Sequence, residues 1–178
     1  MNAIGTSLKD AYIITNQIFE DERGSFRESF NLRDIQKIIG PYEFVQDSHS
    51  ISTKNVVRGL HYQIEHAQGK LVRCIAGEIY DVIVDLRKNS ETFGKWVGFY
   101  LRPGPEQLWV PPGFAHGFCA MSDQAEVLYK VTDYRYAEYE RSLLWNDKTL
   151  NINWGVSSSI LSDKDAQAVS FENCDKYE

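Results

Sequence analysis

Between Phe44 and Val131 the chain breaks into short runs rich in Val, Ile, Tyr and Phe. Gly, Pro and polar residues separate the runs at intervals of about 8–12 positions, the spacing of a β-sandwich or barrel. Tyr80, Val82, Val84 and Leu86 alternate with Asp81, Asp85 and Arg87, which predicts a strand with one face buried. Ala76-Gly77-Glu78, Pro103-Gly104-Pro105 and Pro111-Pro112-Gly113 read as turns. Helical spacing is confined to two places. Leu32, Ile35, Ile38 and Ile39 predict a helix with Asn31 as its N-cap and Gly40 as its stop. Ser162-Asp163-Lys164-Asp165 reads as a capping box opening a short helix towards the C-terminus. No repeat, low-complexity tract or linker interrupts the pattern, so one domain over residues 1–178 is expected. Strands dominate, and their connections are too short for crossover helices, so the sheets should be antiparallel. The expected fold class is all-β: an antiparallel barrel with a few short helices.

Composition narrows the function classes. Of 178 residues, 43% are apolar and 25% charged, which suits one well-packed core. The formal net charge is −6, with Lys and Arg scattered. That excludes the basic stripe of a nucleic-acid binder, but not an anionic ligand held by a few local cations. Met1–Asp10 has no apolar core behind positive charge, so no signal peptide is expected, and no run is long enough to span a membrane. Cys74, Cys119 and Cys174 are odd in number, far apart and without metal spacing. A reducing cytoplasm is the expected compartment.

The run Val57-Arg58-Gly59-Leu60-His61-Tyr62-Gln63 is the densest in candidate chemistry. Strict alternation puts Arg58 and His61 on opposite faces; a bulge at Gly59 would bring both to one side. Lys70 shares parity with Val72 and Cys74, and Tyr129 with Val127 and Val131, so both should point inward. An inward lysine is costly unless it is paired or used. Read alone, each residue has a plain alternative. His61 could be a half-buried strand histidine beside a solvated Arg58, and His116 a structural one. Tyr129 could be a core tyrosine, Lys70 could snorkel outward, and Asp165 could serve only as the N3 partner of Ser162.

Several runs together carry a resemblance. They are Asp21-Glu22-Arg23-Gly24-Ser25-Phe26, Arg58 to Gln63, and Gln68-Gly69-Lys70-Leu71-Val72. They continue with Ser90 to Trp96 and Gly113-Phe114-Ala115-His116-Gly117-Phe118. Tyr129-Lys130, Thr132-Asp133-Tyr134 and Leu161-Ser162-Asp163-Lys164-Asp165 complete the set. In this order, over nearly the whole chain, they resemble the dTDP-4-dehydrorhamnose 3,5-epimerase family of sugar-nucleotide epimerases. The resemblance implies a cupin-type jelly-roll barrel, a homodimer, a nucleotide-sugar substrate and no cofactor. It implies His61 as catalytic base, Asp165 as its carboxylate partner, Tyr129 as the acid on the opposite face of the sugar, and Lys70 as the cation beside the ketone. Arg23, Glu28, Gln46, Arg58, His116, Glu140 and Lys164 match substrate-contacting positions, and Asp47 and Ser48 are placed with them.

The residue types suit that chemistry. A hydrogen next to a ketone is acidic because the carbonyl takes up the charge, so the substrate supplies its own electron sink. An imidazole, with an ordinary pKa near 6.5, can take such a proton, and a carboxylate can fix its tautomer. A lysine ammonium can stabilise the enolate. A metal is not expected. Metal-binding cupins often place two histidines one residue apart on a strand. Here Gln63 stands two places after His61, and His49, His66 and His116 offer no such pair. The chain departs from the family near the substrate and at several C-terminal positions, where usual prolines are replaced by Ala137, Lys148 and Gly155. Arg135 follows Tyr134 where the family has a second aromatic that stacks on the base, and Ser48 replaces a common asparagine. Arg135 is therefore expected to cover the base or reach a phosphate, with Tyr136 or Tyr139 as the rival stacking ring. The competing readings are an epimerase acting at one carbon, or on another activated sugar, and a non-catalytic cupin that binds a sugar nucleotide.

Overall fold

A computed structural model describes residues 1–178. In chain order the first strands are β1 (Asn2–Gly5), β2 (Tyr12–Thr15), β3 (Phe19–Asp21) and β4 (Gly24–Phe26), followed by helix α1 (Leu32–Ile39). The central strands are β5 (Gln46–Thr53), β6 (Val57–Gln63), β7 (Lys70–Ala76), β8 (Ile79–Asp85) and β9 (Trp96–Leu101). Then come β10 (Glu106–Val110), β11 (Phe114–Ala120), β12 (Gln124–Val131), β13 (Glu140–Ser142) and helix α2 (Asp163–Ala166).

The strands form two facing antiparallel sheets, ordered β1-β2-β10-β7-β12-β5 and β13-β6-β11-β8-β9, with β3 and β4 as a separate hairpin. This is the expected antiparallel all-β barrel of cupin type, and its turns fall at Gly77, at Pro103–Pro105 and at Pro111–Gly113. Between the sheets lies one apolar core, including Val72, Ile79, Ile83, Leu108, Phe114, Phe118 and Val127. Ile35 of α1 packs with Ile14, Leu71 and Trp109 on the outer face of the first sheet. Asn31 occupies the N-cap position of α1, but its side chain reaches Glu28 instead of the helix, and Gly40 ends the helix at φ 95°.

The second sheet differs from expectation. Strand β8 is buried on both faces, not one. Ile79 and Ile83 face the barrel interior, while Tyr80, Val82 and Val84 pack outward under a strap formed by residues 143–177. Leu143, Leu150, Ile152, Trp154 and Cys174 of the strap build a second core there. Buried Asp147 accepts backbone N–H bonds from Thr149, Leu150 and Phe171, and the Trp96 indole donates to the Leu150 carbonyl. No helix is long and apolar enough to cross a membrane.

Candidate active site

A cavity of about 240 Å³ opens between the two sheets, and the local structure of β6 decides what faces it. His116 of β11 pairs with His61, and Phe118 with Arg58. Three steps along β6 therefore match two along β11, which places a bulge at Gly59. Gly59 sits at φ +122°, and a Cβ there would come within 2.6 Å of the Gly117 Cα and 2.8 Å of the His116 carbonyl oxygen. Only glycine fits this close approach. The bulge resets the alternation, so Arg58 and His61 both line the cavity. Arg58 is aimed by bonds from Nε to Ser52 Oγ (2.9 Å) and from Nη2 to the Ile51 carbonyl (3.2 Å).

His61 is completed from the strap. Its Nε2 lies 2.5 Å from Oδ1 of Asp165, which is 2% exposed, and Oδ2 faces the Gly59 N–H at 3.4 Å. The Asp165 backbone N–H donates to Ser162 Oγ at 3.2 Å, so half of the expected capping box forms. The other half does not, because the carboxylate turns to the histidine instead of returning to the Ser162 N–H. Burial pushes the Asp165 carboxyl up, but the bonds from His61, Gly59 and Ser162 outweigh it and hold it below its ordinary value.

Lys70 and Tyr129 reach the cavity from the facing sheet, as their parity requires. Lys70 is 7% exposed, and its Nζ donates to the His61 carbonyl at 3.2 Å. Burial lowers its pKa to about 8, against the opposing pull of Asp81 and Glu140. His116 is also buried, with Nε2 at 3.0 Å from both oxygens of fully buried Asp81. Burial lowers the His116 pKa as well, and Asp81 resists the shift.

Asp81 is a functional candidate that the sequence reading passes over, since the β8 alternation assigned it to a solvent face. The signal was its parity with Ile79 and Ile83, both fully buried.

At the rim, Arg135 forks onto Glu140 through Nε (2.7 Å) and Nη2 (3.0 Å), and Lys164 holds the same carboxylate at 2.8 Å. The Arg135 bonds, set against partial burial and helped by Lys164, bring the Glu140 pKa down to about 2. Gln46 and Ser48 line the cavity, joined by a 3.2 Å bond from Gln46 Nε2 to Ser48 Oγ. The Tyr136 and Tyr139 rings lie 4.3 and 5.6 Å from His66 and are not part of the cavity wall.

Lys164 meets this cavity only through Glu140, and three further expected contacts are not brought to it. Asp47 lies on the outer face of β5, between Gln46 and Ser48, and pairs with Lys130 at 2.8 Å. Glu28 precedes α1, where its carboxylate receives Asn31 and its carbonyl receives Asn16. Arg23 stands on the β3–β4 hairpin with its side chain 85% exposed, paired only with Asp21. The Ser90–Trp96 run is also remote, and its hydroxyls are structural: Ser90 and Thr92 donate to buried Asp85 at 2.6 and 2.7 Å. No three His, Cys, Asp or Glu side chains converge in a group that could hold a metal.

Comparison with known proteins identifies the family. The family model described as dTDP-4-dehydrorhamnose 3,5-epimerase matches residues 5–173. An enzyme of that name from Shigella flexneri is 52% identical over 99% of both chains. The crystal structure of the Elizabethkingia anophelis enzyme superposes with a TM-score of 0.94 at 46% identity, covering 97% of each chain. That of the Legionella pneumophila enzyme, in complex with dTDP-4-keto-L-rhamnose, gives 0.94 at 45% identity, covering 98% of this chain and 94% of the other. The chain belongs to the dTDP-4-dehydrorhamnose 3,5-epimerase family, whose members are isomerases.

Proposed function

We propose that this chain inverts C3 and C5 of dTDP-4-dehydro-6-deoxy-D-glucose to give dTDP-4-dehydro-L-rhamnose. The observation that carries the reading is that His61, held by Asp165 from the strap, stands on one sheet while Tyr129 stands on the other, with buried Lys70 reaching across from the Tyr129 sheet to the His61 carbonyl. A binding protein has no need of a base and an acid on opposed walls.

In this reading His61 takes the proton from the carbon next to the ketone. Asp165 holds Nε2, which leaves Nδ1 as the accepting nitrogen, and it stabilises the imidazolium that forms. The electron pair moves onto the C4 oxygen, where the Lys70 ammonium meets the developing charge. Tyr129 then delivers a proton to the same carbon from the other face, which inverts it. The carbonyl accepts and returns the electrons, so the chemistry draws on no cofactor. Arg58, Arg135 and Lys164 supply the cations for the diphosphate end.

The expected homodimer is part of this reading. It is supported by the hairpin carrying Arg23, where Phe19 and Phe26 are 54% and 70% exposed and bonded to neither barrel sheet. A second copy is the means by which Arg23 could meet a substrate. A cytoplasmic setting suits three free, buried cysteines.

The test is turnover in heavy water, with deuterium expected at both C3 and C5 of the product. Label at C3 alone would reduce the reading to a single-carbon epimerase. No label with binding retained would leave a binder.

A further inference from the structure

We propose that Gln63 is a positioning residue that sets the affinity of the cavity for the nucleotide part of its ligand, an inference that rests on the function proposed above. Gln63 ends β6 two places after His61 and is 3% exposed. Its side-chain amide is committed to backbone. Nε2 donates to the carbonyls of His66 (2.8 Å) and Tyr134 (3.1 Å), and Oε1 accepts from the Tyr136 N–H (2.7 Å). The last two bonds bracket Arg135, one on the peptide before it and one on the peptide after.

The segment so held has no strand partner. Residues 132–136 lie between β12 and a short 3₁₀ turn, outside both sheets. Gln63 supplies, from a side chain, the donor and acceptor that a neighbouring strand would give. Gln46 adds a tie by accepting the Arg135 N–H at 3.3 Å, and just upstream Gln68 donates to the Asp133 carbonyl (2.8 Å) and the Thr132 N–H to the Gly69 carbonyl (3.0 Å). The third Gln63 bond, to His66, fixes the same amide to the β6–β7 connection. The strand end is itself held, because the Tyr177 hydroxyl from the strap donates to the Gln63 carbonyl. The guanidinium that reaches Glu140 and the cavity rim therefore hangs between two peptides that Gln63 holds, one on each side of Arg135. With both N–H groups spent, Gln63 acts through that backbone and not on the sugar.

The experiment compares Gln63→Leu, which keeps the bulk and removes the bonds, with Gln63→Glu, which turns a carboxylate oxygen towards two carbonyls. Binding of dTDP and turnover of the dTDP-sugar are measured together with hydrogen exchange at the Tyr136 amide. The expected result is a Kd and a KM raised several-fold, no more than in Arg135→Ala, with kcat within about twofold and lost protection at Tyr136. The double variant Gln63→Leu with Arg135→Ala should bind no worse than the weaker single variant, as expected of groups acting in series. A fall in kcat at unchanged KM would overturn the inference, as would additive losses in the double variant or unchanged binding despite lost protection. A native protein that neither binds dTDP nor turns over the sugar would defeat the proposed function instead, and is read separately from the exchange measurement.

Discussion

His61 Nε2 and Asp165 Oδ1 stand 2.5 Å apart although 104 positions separate them in the chain. The bond fixes one ring nitrogen and leaves the other to act. Asp165→Asn should preserve the contact but remove the charge that supports a protonated ring. Activity is expected to fall by about 10²–10⁴-fold with little change in substrate affinity. Ser162→Ala removes only the cap, so it should cost about 1 kcal/mol, or roughly 2–4 °C in Tm, with most activity retained. Thermal melts and steady-state rates on the two variants check the separation.

Exchange and inversion can be uncoupled. His61→Ala should stop deuterium uptake at both carbons, since it removes the proposed base of each inversion. Tyr129→Phe should still allow proton removal but impair delivery from the other wall, so exchange into recovered substrate outlasts net inversion. Each change is expected to cost about 10²–10⁴-fold in its own step. Substantial activity in His61→Ala would refute the assignment.

Lys70 gives the pH dependence a sign. In the proposed mechanism its ammonium is the active form, and burial brings its pKa down to about 8. The rate constant kcat/KM should therefore decline above about pH 8. Asp81 opposes that lowering, so Asp81→Asn should move the alkaline limb to lower pH. Stability runs the other way. Between pH 8 and the ordinary 10.5 the unfolded chain binds more protons than the folded one, so folding becomes more favourable as pH rises. Lys70→Met should be inactive yet melt higher than the native protein at neutral pH, which calorimetry would show.

Arg135 is expected to serve binding and not chemistry. Arg135→Ala should raise KM several-fold and leave kcat nearly unchanged, the pattern of lost uniform binding. If its guanidinium stacks on the base, Arg135→Tyr should recover much of the affinity; a phosphate contact would not be recovered. Tyr136→Ala and Tyr139→Ala should change KM little, because their rings pack on His66. A raised KM in either, with Arg135→Ala silent, would reverse the assignment.

What could be read from sequence followed the reach of local rules. Alternation placed Lys70 and Tyr129 inward, and the glycine in β6 announced the bulge that aligns Arg58 with His61. Alternation failed at β8, where both faces are buried, because nothing local reveals that a distant strap covers the outer one. Asp81 was lost by that error. Local rules alone read the Asp165 carboxylate as a helix cap, because Ser162 is near in sequence and His61 is not; only the family resemblance paired it with the histidine. Asp47 was placed by its neighbours, although the two-residue period sends it to the outer face with Lys130. Arg135 was legible as a departure, but not its fork onto Glu140, which needs the turn between them.

The strap has one more consequence. Asp165 reaches His61 from the outer covering, whereas His61, Lys70, Tyr129, Arg58 and His116 all stand on barrel strands. The carboxylate that holds the histidine and the strand residues that wall the cavity therefore come from different pieces of the chain. A protease that nicked the covering loosely enough to free Asp165 would free neighbouring Lys164 with it, leaving the strand residues and Arg135 to hold, more weakly, a ligand that is no longer turned over. Such a clipped molecule would compete with intact enzyme for substrate, acting as a sink instead of a catalyst.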